Sequence, residues 1–294
     1  MGGSRRTARH ARASTPRRVW PLVLLLAALA LVVCLAGGYL VGIGPMSFLH
    51  PSTPHEETVT QVRNEDVEPT PEEPAHGSSS EFGQMVETGE VHSIRLIGDS
   101  ITAGYLTDGF DTATPSSLVV YSGPQGIYTE TPASVRCWAN DFRSWAGEQG
   151  VDDFVNAAVS GFKMKYLADS PDSWLGDGAD VIVVMLGTND AARVPFDDFK
   201  AATETGLAAA ASRCKHLVVV SPPDNQRTDA TTRYDMGQVD QVINQVCQEH
   251  GYEHISLLDV LQVGTDDFNP DQLHPTTKGS DKLWEAFKER LDLY

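Results

Sequence analysis

Cysteine is scarce in this sequence, and no two cysteines have the spacing of a metal or redox site. Only four occur in 294 residues, without a Cys-x-x-Cys pair, which argues against cysteine-bound metal. Cys34 lies in a long apolar run, so Cys137, Cys214 and Cys247 are left for the rest of the chain. In an oxidising compartment they allow at most one intrachain disulfide. Cys214 lies just before one predicted strand, and Cys247 lies near the end of the helix that precedes the next. These two are therefore the candidate pair.

Acidic residues are missing from the start of the chain, and basic residues are sparse in the rest. The first acidic residue is Glu56, and six arginines precede it at positions 5, 6, 9, 12, 17 and 18. The remainder carries 16 basic against 40 acidic residues, a net charge of −24. A domain this acidic repels nucleic acid and anionic lipid headgroups, which argues against a role in binding polyanions.

Residues 19–43 contain no charged side chain. As a helix with a rise of ~1.5 Å per residue they exceed the roughly 30 Å hydrocarbon core of a bilayer. A cleaved signal peptide is the alternative, but its apolar core is usually about 7–15 residues long, and no clean Ala-x-Ala site follows here. We therefore expect a single-pass signal anchor, with the basic tail 1–18 in the cytoplasm and the rest of the chain extracytoplasmic.

The region after this segment divides into a linker and one domain. Residues 51–90 hold five prolines and ten acidic residues but only one basic residue, Arg63. That composition is typical of an unfolded tether. We therefore predict an acidic, proline-rich linker over 44–90 and one folded domain over 91–294.

Strand-like and helix-like stretches alternate through residues 91–294. Apolar runs predict strands at 93–97, 154–157, 181–186, 217–220 and 254–260. Helical patterns occupy 196–213, 238–249 and 282–291, and Val135, Trp138, Phe142 and Trp145 recur at helical spacing. This alternation predicts an α/β domain with a mainly parallel sheet and helices on both faces. Residues 105–132 are irregular and too long for an ordinary connection, and no motif in them indicates a role.

Polar residues follow four of these predicted strands. Gly98-Asp99-Ser100 ends the first, Ser160-Gly161 follows the second, Gly187-Thr188-Asn189-Asp190 follows the third, and Asp271-Gln272-Leu273-His274 follows the last through a short loop. Parallel strands place all their carboxyl ends at one edge of the sheet, where open α/β sheets bind ligands. The four stretches should therefore meet in one crevice.

The residue types in this crevice suit nucleophilic catalysis. A serine hydroxyl becomes a good nucleophile when a histidine takes its proton and a carboxylate holds the imidazole in the required tautomer. Ser100, His274 and Asp271 supply these groups, and Asp271 and His274 are close enough in sequence to face the crevice together. Backbone N–H groups at Ser100 and Gly161, with the side-chain amide of Asn189, would supply donors to an oxyanion. The simplest alternative is that Ser100 only caps a following helix.

The sequence resembles the SGNH (GDSL-type) hydrolases. Ser100, Gly161, Asn189 and His274 match, in order, the four residues that give the family its name. The resemblance implies a three-layer α/β/α sandwich of flavodoxin-like form and ester hydrolysis without a metal or organic cofactor. It also implies that Ser100 is the nucleophile, His274 the base and Asp271 its partner, with Gly161 and Asn189 as oxyanion donors. Ala158 departs from the family, where many members have glycine.

Other polar residues have simpler explanations. Ser160 is best explained as a residue of the turn after the second predicted strand. His250 and His254 fit an H-x-x-E-H zinc pattern, but that pattern needs a helix, and Gly251 should end one there. Asp99 and Asp190 flank the candidate residues and are better explained as turn-stabilising acceptors than as acid–base groups. The many acidic residues offer no pair whose spacing indicates a glycosidase.

These observations predict a membrane-anchored, extracytoplasmic serine esterase. Its substrate would be an ester-bearing small molecule, lipid or glycan, with an O-acetyl group on a glycan as one case. Two alternatives remain. In an O-acyltransferase, a sugar hydroxyl would attack the same acyl-enzyme, and a non-catalytic glycan-binding domain would share only the fold.

Overall fold

The computed structural model describes residues 77–110 and 131–294, together with the backbone of two short strands at 120–123 and 126–129. The predicted cytoplasmic tail at 1–18, the predicted anchor at 19–43 and most of the predicted linker lie outside the described residues. Within the described part of the chain, every helix is too short or too polar to cross a bilayer.

The centre of the domain is a sheet of five parallel strands. Its strand order is β4-β1-β5-β6-β7. A separate antiparallel hairpin of β2 and β3 falls within the stretch 105–132 that the sequence left without an assignment. The strand bounds are β1 Ser93–Gly98, β2 Val120–Gly123, β3 Gly126–Thr129, β4 Asp153–Asn156, β5 Val181–Met185, β6 His216–Ser221 and β7 Glu253–Ser256.

Helices cover both faces of the sheet, so the predicted α/β class with a parallel sheet is confirmed. α1, α2 and α8 contribute buried residues to the core on one face, and α3 to α7 contribute to the core on the other. The helix bounds are α1 Glu81–Glu87, α2 Trp138–Glu148, α3 Met164–Asp169, α4 Pro171–Leu175, α5 Thr188–Arg193, α6 Phe196–Ala211, α7 Met236–His250 and α8 Thr277–Arg290.

The sequence of β5 shows why the sheet needs cover on both sides. All five of its residues are apolar and buried. Val181, Val183 and Met185 join the core beneath α2 and α8, whereas Ile182 and Val184 join the core beneath α6 and α7. Successive side chains on a strand point to opposite faces, so a continuous apolar run places apolar groups in both cores.

The folded domain begins before the predicted boundary at residue 91. α1 lies inside the predicted linker, and its Phe82 is fully buried, with its ring centroid 6.1 Å from that of Phe142. Ser80 caps the helix by accepting the N–H of Gly83 at 2.8 Å. Glu253 of β7 accepts the N–H of Phe82 at 3.0 Å. Two buried side chains, Phe82 and Val86, hold this short helix to the core together with its cap and Glu253. The acidic composition around them does not indicate a folded segment.

Three local expectations are wrong. The alternative in which Ser100 only caps a following helix is wrong, because residues 100–109 form successive turns. The strand predicted at 254–260 ends at Ser256. Cys214 and Cys247 are both free thiols, so the candidate disulfide between them is absent. Burial raises the pKa of Cys214 to about 11 and that of Cys247 to about 12, which leaves both as unreactive thiols.

Gly279 allows α8 to pack closely on the loop that precedes it. A Cβ atom at this position would lie 2.1 Å from the carbonyl oxygen of Asp267. The same carbonyl accepts the N–H of Thr276, the N-cap of α8, at 2.9 Å. Asp267 is itself buried and bound by Lys282 at 2.7 Å. This packing fixes the loop between β7 and α8.

We predict that Gly279→Ala lowers the free energy of unfolding by about 1–3 kcal/mol, because the added methyl group forces backbone apart. Gly147→Ala is the matched control, since Gly147 lies in α2 and a Cβ there meets nothing within 4 Å. It should be neutral or stabilise by up to about 1 kcal/mol. Urea unfolding of both variants measures the difference. Equal stabilities would show that the contact with Asp267 does not constrain α8.

Candidate active site

Ser100, His274 and Asp271 form a continuous chain of hydrogen bonds. Ser100 Oγ lies 2.8 Å from His274 Nε2, and His274 Nδ1 lies 2.7 Å from Asp271 Oδ2. An ionised carboxylate can only accept, so Nδ1 carries the ring proton and Nε2 accepts the proton of Ser100 Oγ. The three side chains that the sequence places after β1 and β7 therefore lie in direct contact.

Asp271 is held by its own turn as well as by the imidazole. Its Oδ1 accepts the N–H groups of Leu273 and His274, each at 3.0 Å. Burial by itself would raise the pKa of Asp271, but the hydrogen bonds from the His274 ring and from these two N–H groups bring it below its usual value. The carboxylate is thus ionised near neutral pH and fixes the orientation of the ring.

Ser100 occupies a tight turn at the end of β1. Asp99 Oδ1 accepts the N–H of Ile101 at 2.9 Å, and the carbonyl of Ser100 accepts the N–H of Tyr105 at 3.0 Å. A Cβ atom on Gly98 would lie 2.3 Å from Thr102 Oγ1, so this turn requires glycine before Asp99. The sequence signal Gly-Asp-Ser therefore reflects a steric requirement as well as chemistry.

Tyr105 and Asn269 hold the histidine from its other sides. The ring of Tyr105 meets the imidazole edge-on, with centroids 4.7 Å apart. Asn269 Nδ2 donates to the carbonyl oxygens of His274 at 3.2 Å and Pro275 at 2.9 Å. Neither residue belongs to a pattern visible in the sequence, because their roles depend on loops that meet only in the fold.

Gly161 and Ser100 carry the backbone N–H groups that the sequence predicts as oxyanion donors. Both residues line one cavity of about 500 Å³, together with Asn189 and His274. Among the hydrogen bonds between described residues, neither N–H has an acceptor. Gly161 has a φ of +78°, a left-handed conformation that favours glycine. Two backbone donors are thus open to a ligand.

Asn189 reaches the same cavity, but its amide already has two protein partners. Nδ2 donates to Asp99 Oδ2 and to the carbonyl oxygen of Phe162, both at 3.1 Å. The amide carries only two hydrogens, so a bond to an oxyanion requires sharing one of them or rotating the side chain. The link to Asp99 joins the turn after β1 to the start of α5.

Two buried carboxyl groups lie beneath this cavity. Burial raises the pKa of Asp99 to about 7, an effect that the nearby Asp190 increases and Arg227 opposes. Burial likewise raises the pKa of Asp190 to about 6, although Asp190 accepts the N–H groups of Met164 and Lys165 at the start of α3. Both act as hydrogen-bond acceptors, in agreement with the sequence interpretation.

No motif in the sequence indicates the basic residues of the cavity. Its wall also contains Lys163, Arg193 and Arg227, with one acidic residue, Asp229. Arg227 and Asp229 lie on the loop after β6, which reaches the same sheet edge as the other site loops. The position of this loop, after the carboxyl end of a parallel strand, is the signal in the sequence that indicates its place at the site.

The remaining polar residues singled out in the sequence lie elsewhere or have other partners. Ser160 lines the cavity, but the imidazole there bonds to Ser100. His254 Nε2 lies 2.9 Å from Ser221 Oγ, whereas His250 Nε2 lies 2.6 Å from Glu204 Oε1. Within the described part of the chain, no group of three His, Cys, Asp or Glu side chains is arranged to hold a metal ion.

We predict that the free energy of unfolding of Asp99→Asn, compared with that of the wild type, falls less or rises more between about pH 4 and pH 7. In this window the folded protein keeps a proton on Asp99 that the unfolded chain has released, because burial raises the folded-state pKa from 3.8 to about 7. The contribution of Asp99 to the free energy of unfolding therefore falls as pH rises. At 1.36 kcal/mol per pKa unit, this group contributes at most about 4 kcal/mol of that fall.

Urea unfolding of the wild type and Asp99→Asn across this pH range gives the difference directly. Asp152→Asn, at an exposed position, controls for the loss of one surface carboxylate. Parallel stability curves for the wild type and Asp99→Asn would contradict the raised pKa.

Comparison of structures supports the fold. The acetylxylan esterase Axe2 from Geobacillus stearothermophilus aligns with a TM-score of 0.51 and 19% identity, over 69% of this chain and 95% of its own. LAE5, an alpha/beta hydrolase enzyme from the metagenome of Lake Arreo, Spain, aligns with a TM-score of 0.53 and 17% identity, over 68% of this chain and 95% of its own. Identities this low establish a shared fold.

Sequence comparison establishes the family. No curated protein matches the chain. The family model of the GDSL-like lipases and acylhydrolases matches residues 96–282, which is more than half of the sequence and spans the site from Ser100 to His274. The chain therefore belongs to the GDSL-like lipase/acylhydrolase family and is a carboxylic ester hydrolase.

Proposed function

We propose that this protein is a serine esterase that cleaves an acyl ester through an acyl-enzyme on Ser100. The observation that carries the proposal is the chain of hydrogen bonds from Ser100 Oγ through His274 to Asp271, which opens into the cavity. The existing contacts already set the tautomer that a general base needs, with Nδ1 protonated and Nε2 facing the serine.

In the first half of the reaction, Ser100 Oγ attacks the ester carbonyl carbon while His274 Nε2 takes the hydroxyl proton. The carbonyl oxygen becomes an oxyanion, which the N–H groups of Ser100 and Gly161 and the Asn189 amide would stabilise. Collapse breaks the bond between the acyl carbon and the leaving oxygen. The proton on His274 passes to that oxygen, and the alcohol departs.

In the second half, water replaces the alcohol. His274 takes a proton from the water as its oxygen attacks the acyl-Ser100 carbonyl, and it returns the proton to Ser100 Oγ when the acid departs. Asp271 stays ionised throughout and stabilises the imidazolium that forms in each half. This role agrees with the lowered pKa of its carboxyl group.

An acetyl ester on a glycan is the substrate that we favour. The structural neighbour Axe2 is an acetylxylan esterase. A cavity of about 500 Å³ lies within the range of small-molecule sites. In the alternative O-acyltransferase, a sugar hydroxyl would replace water, and the products would then include a newly esterified acceptor.

We further propose that the domain is held outside the cytoplasm by a membrane anchor at residues 19–43. The uncharged run and the six arginines before it support this orientation. Protease added to intact cells should cut between residues 44 and 76 and release active domain into the medium. Activity that stays with the cells until they are lysed would contradict this location.

We predict that Ser100→Ala and His274→Ala each lower kcat at least about 10⁴-fold, because the members of such a triad act as a unit. The double variant should be no slower than either single variant. A fluorophosphonate probe should label the wild type and the control Ser160→Ala but not Ser100→Ala. Labelling that maps to Ser160 would contradict the assignment of the nucleophile.

We predict that Asn189→Ala lowers kcat by about 10²–10³ and leaves KM little changed, because an oxyanion donor strengthens its bond only as charge develops. Steady-state kinetics, with the melting temperature of each protein as a control, test this. A purely structural tie between Asp99 and Phe162 predicts a lower melting temperature with proportionate loss of activity. A rise in KM alone would assign Asn189 to substrate binding instead.

A further inference from the structure

The geometry points to a substrate that carries a carboxylate close to its scissile ester. This inference deepens the proposed function and rests on it, because the basic residues concerned line the same cavity as Ser100. It names a chemical class, the anionic ester, of which an acetylated sugar acid is one member.

The first observation is that the cavity wall has a positive net charge, whereas the domain as a whole has a negative net charge. Residues 77–294 contain 33 acidic and 15 basic side chains. The cavity wall has three basic residues, Lys163, Arg193 and Arg227, and a single acidic one, Asp229. An acidic domain thus gathers a fifth of its basic groups around one hydroxyl.

The second observation is that the Arg227 side chain is buried and that its charge is paired with Asp229. The side chain is only 3% exposed and binds Asp229 through two bonds of 2.7 Å each. A further N–H donates to the carbonyl oxygen of Thr188 at 3.3 Å. Since Arg227 neutralises Asp229, the net charge of the wall comes from Lys163 and Arg193.

The third observation is that neither of these two cations forms a salt bridge with a described residue, although Arg193 acts on Asp229 and Lys163 on Asp190 at longer range. Within the described part of the chain, neither Arg193 nor Lys163 has a carboxylate oxygen within 4 Å. Lys163 Nζ instead contacts Tyr166 Oη at 2.7 Å and the carbonyl oxygen of Gly161 at 3.3 Å. Arg193 is exposed at the end of α5, four residues after Asn189.

A carboxylate is the ligand that best matches these groups. Guanidinium and ammonium groups form hydrogen bonds to carboxylates that are about twice as strong as those between neutral partners. A neutral ester would leave both cations facing water and gain nothing from them. An alternative explanation is that Lys163 and Arg227 only offset the buried charges of Asp190 and Asp99, which would affect stability and not substrate choice.

Two matched pairs of substrates test the inference. Para-acetoxybenzoate and para-acetoxybenzamide differ by one charge in the alcohol portion. The para-nitrophenyl monoester of adipic acid and that of adipamic acid differ by one charge in the acyl portion, and their chain is too long for rapid attack of the carboxylate on its own ester. Each rate is normalised to spontaneous hydrolysis in buffer. We expect kcat/KM to favour the anionic member of at least one pair by about tenfold, and that pair identifies the side of the ester that carries the charge.

Variants of the two unpaired cations test the assignment of residues. Arg193→Gln and Lys163→Gln should each reduce the preference several-fold by raising KM for the anionic ester, and Arg193→Glu should reverse it. Lys200→Gln is the control, since Lys200 is an exposed lysine of α6 outside the cavity. It should leave the preference unchanged.

If kcat/KM is about the same for the anionic and the neutral ester in both pairs, the inference is overturned and the esterase proposal is left intact. A preference that survives both glutamine variants would overturn it too, since another feature would then select the charge. The proposed function would fail in a different way, with neither member of either pair hydrolysed and Ser100 not labelled by the fluorophosphonate probe.

Discussion

The site depends on one constrained imidazole. His274 is fixed by Asp271 at Nδ1, by Ser100 at Nε2, by the edge of Tyr105 and by the side chain of Asn269 on its backbone. Asp271 in turn uses one carboxylate oxygen for the ring and the other for two N–H groups of its own turn. Because so many groups already point at this ring, little reorganisation is needed when it becomes charged.

The surroundings of Ser100 combine opposite electrostatic demands. Asp99 and Asp190 are buried below the cavity, where burial makes their negative charge costly and so raises their pKa values. Arg227 lies close enough to Asp99 to lower that cost, and Lys163 does the same for Asp190. Above them, Lys163 and Arg193 line the cavity and form no salt bridge with any described residue. Lys163 can therefore stabilise a buried acid below and attract an anionic group above.

The sequence predicted the parallel sheet and the approximate position of each of its strands, because apolar runs of strand length leave few other solutions. It also brought Ser100, Asp271 and His274 to one edge, where the structure places them in contact; their catalytic roles remain a prediction. It did not predict α1, which has only two buried side chains, Phe82 and Val86, in an acidic segment. It also missed the bond from Asn189 to Asp99 and the arginine after β6. Those features arise where loops that are distant in sequence meet in the fold. Local periodicity and motif spacing do not predict such contacts.

Covalent chemistry at Ser100 is the claim on which the account rests. An aryl acetate has a good leaving group, so acylation outpaces deacylation and the acyl-enzyme accumulates. The most direct measurement is therefore acid quenching of the enzyme during turnover of an aryl acetate, followed by peptide mass spectrometry. The account predicts one acetyl group, located on Ser100, which disappears when substrate is exhausted. Turnover without any acetylated peptide, or with acetyl on a residue other than Ser100, would contradict it.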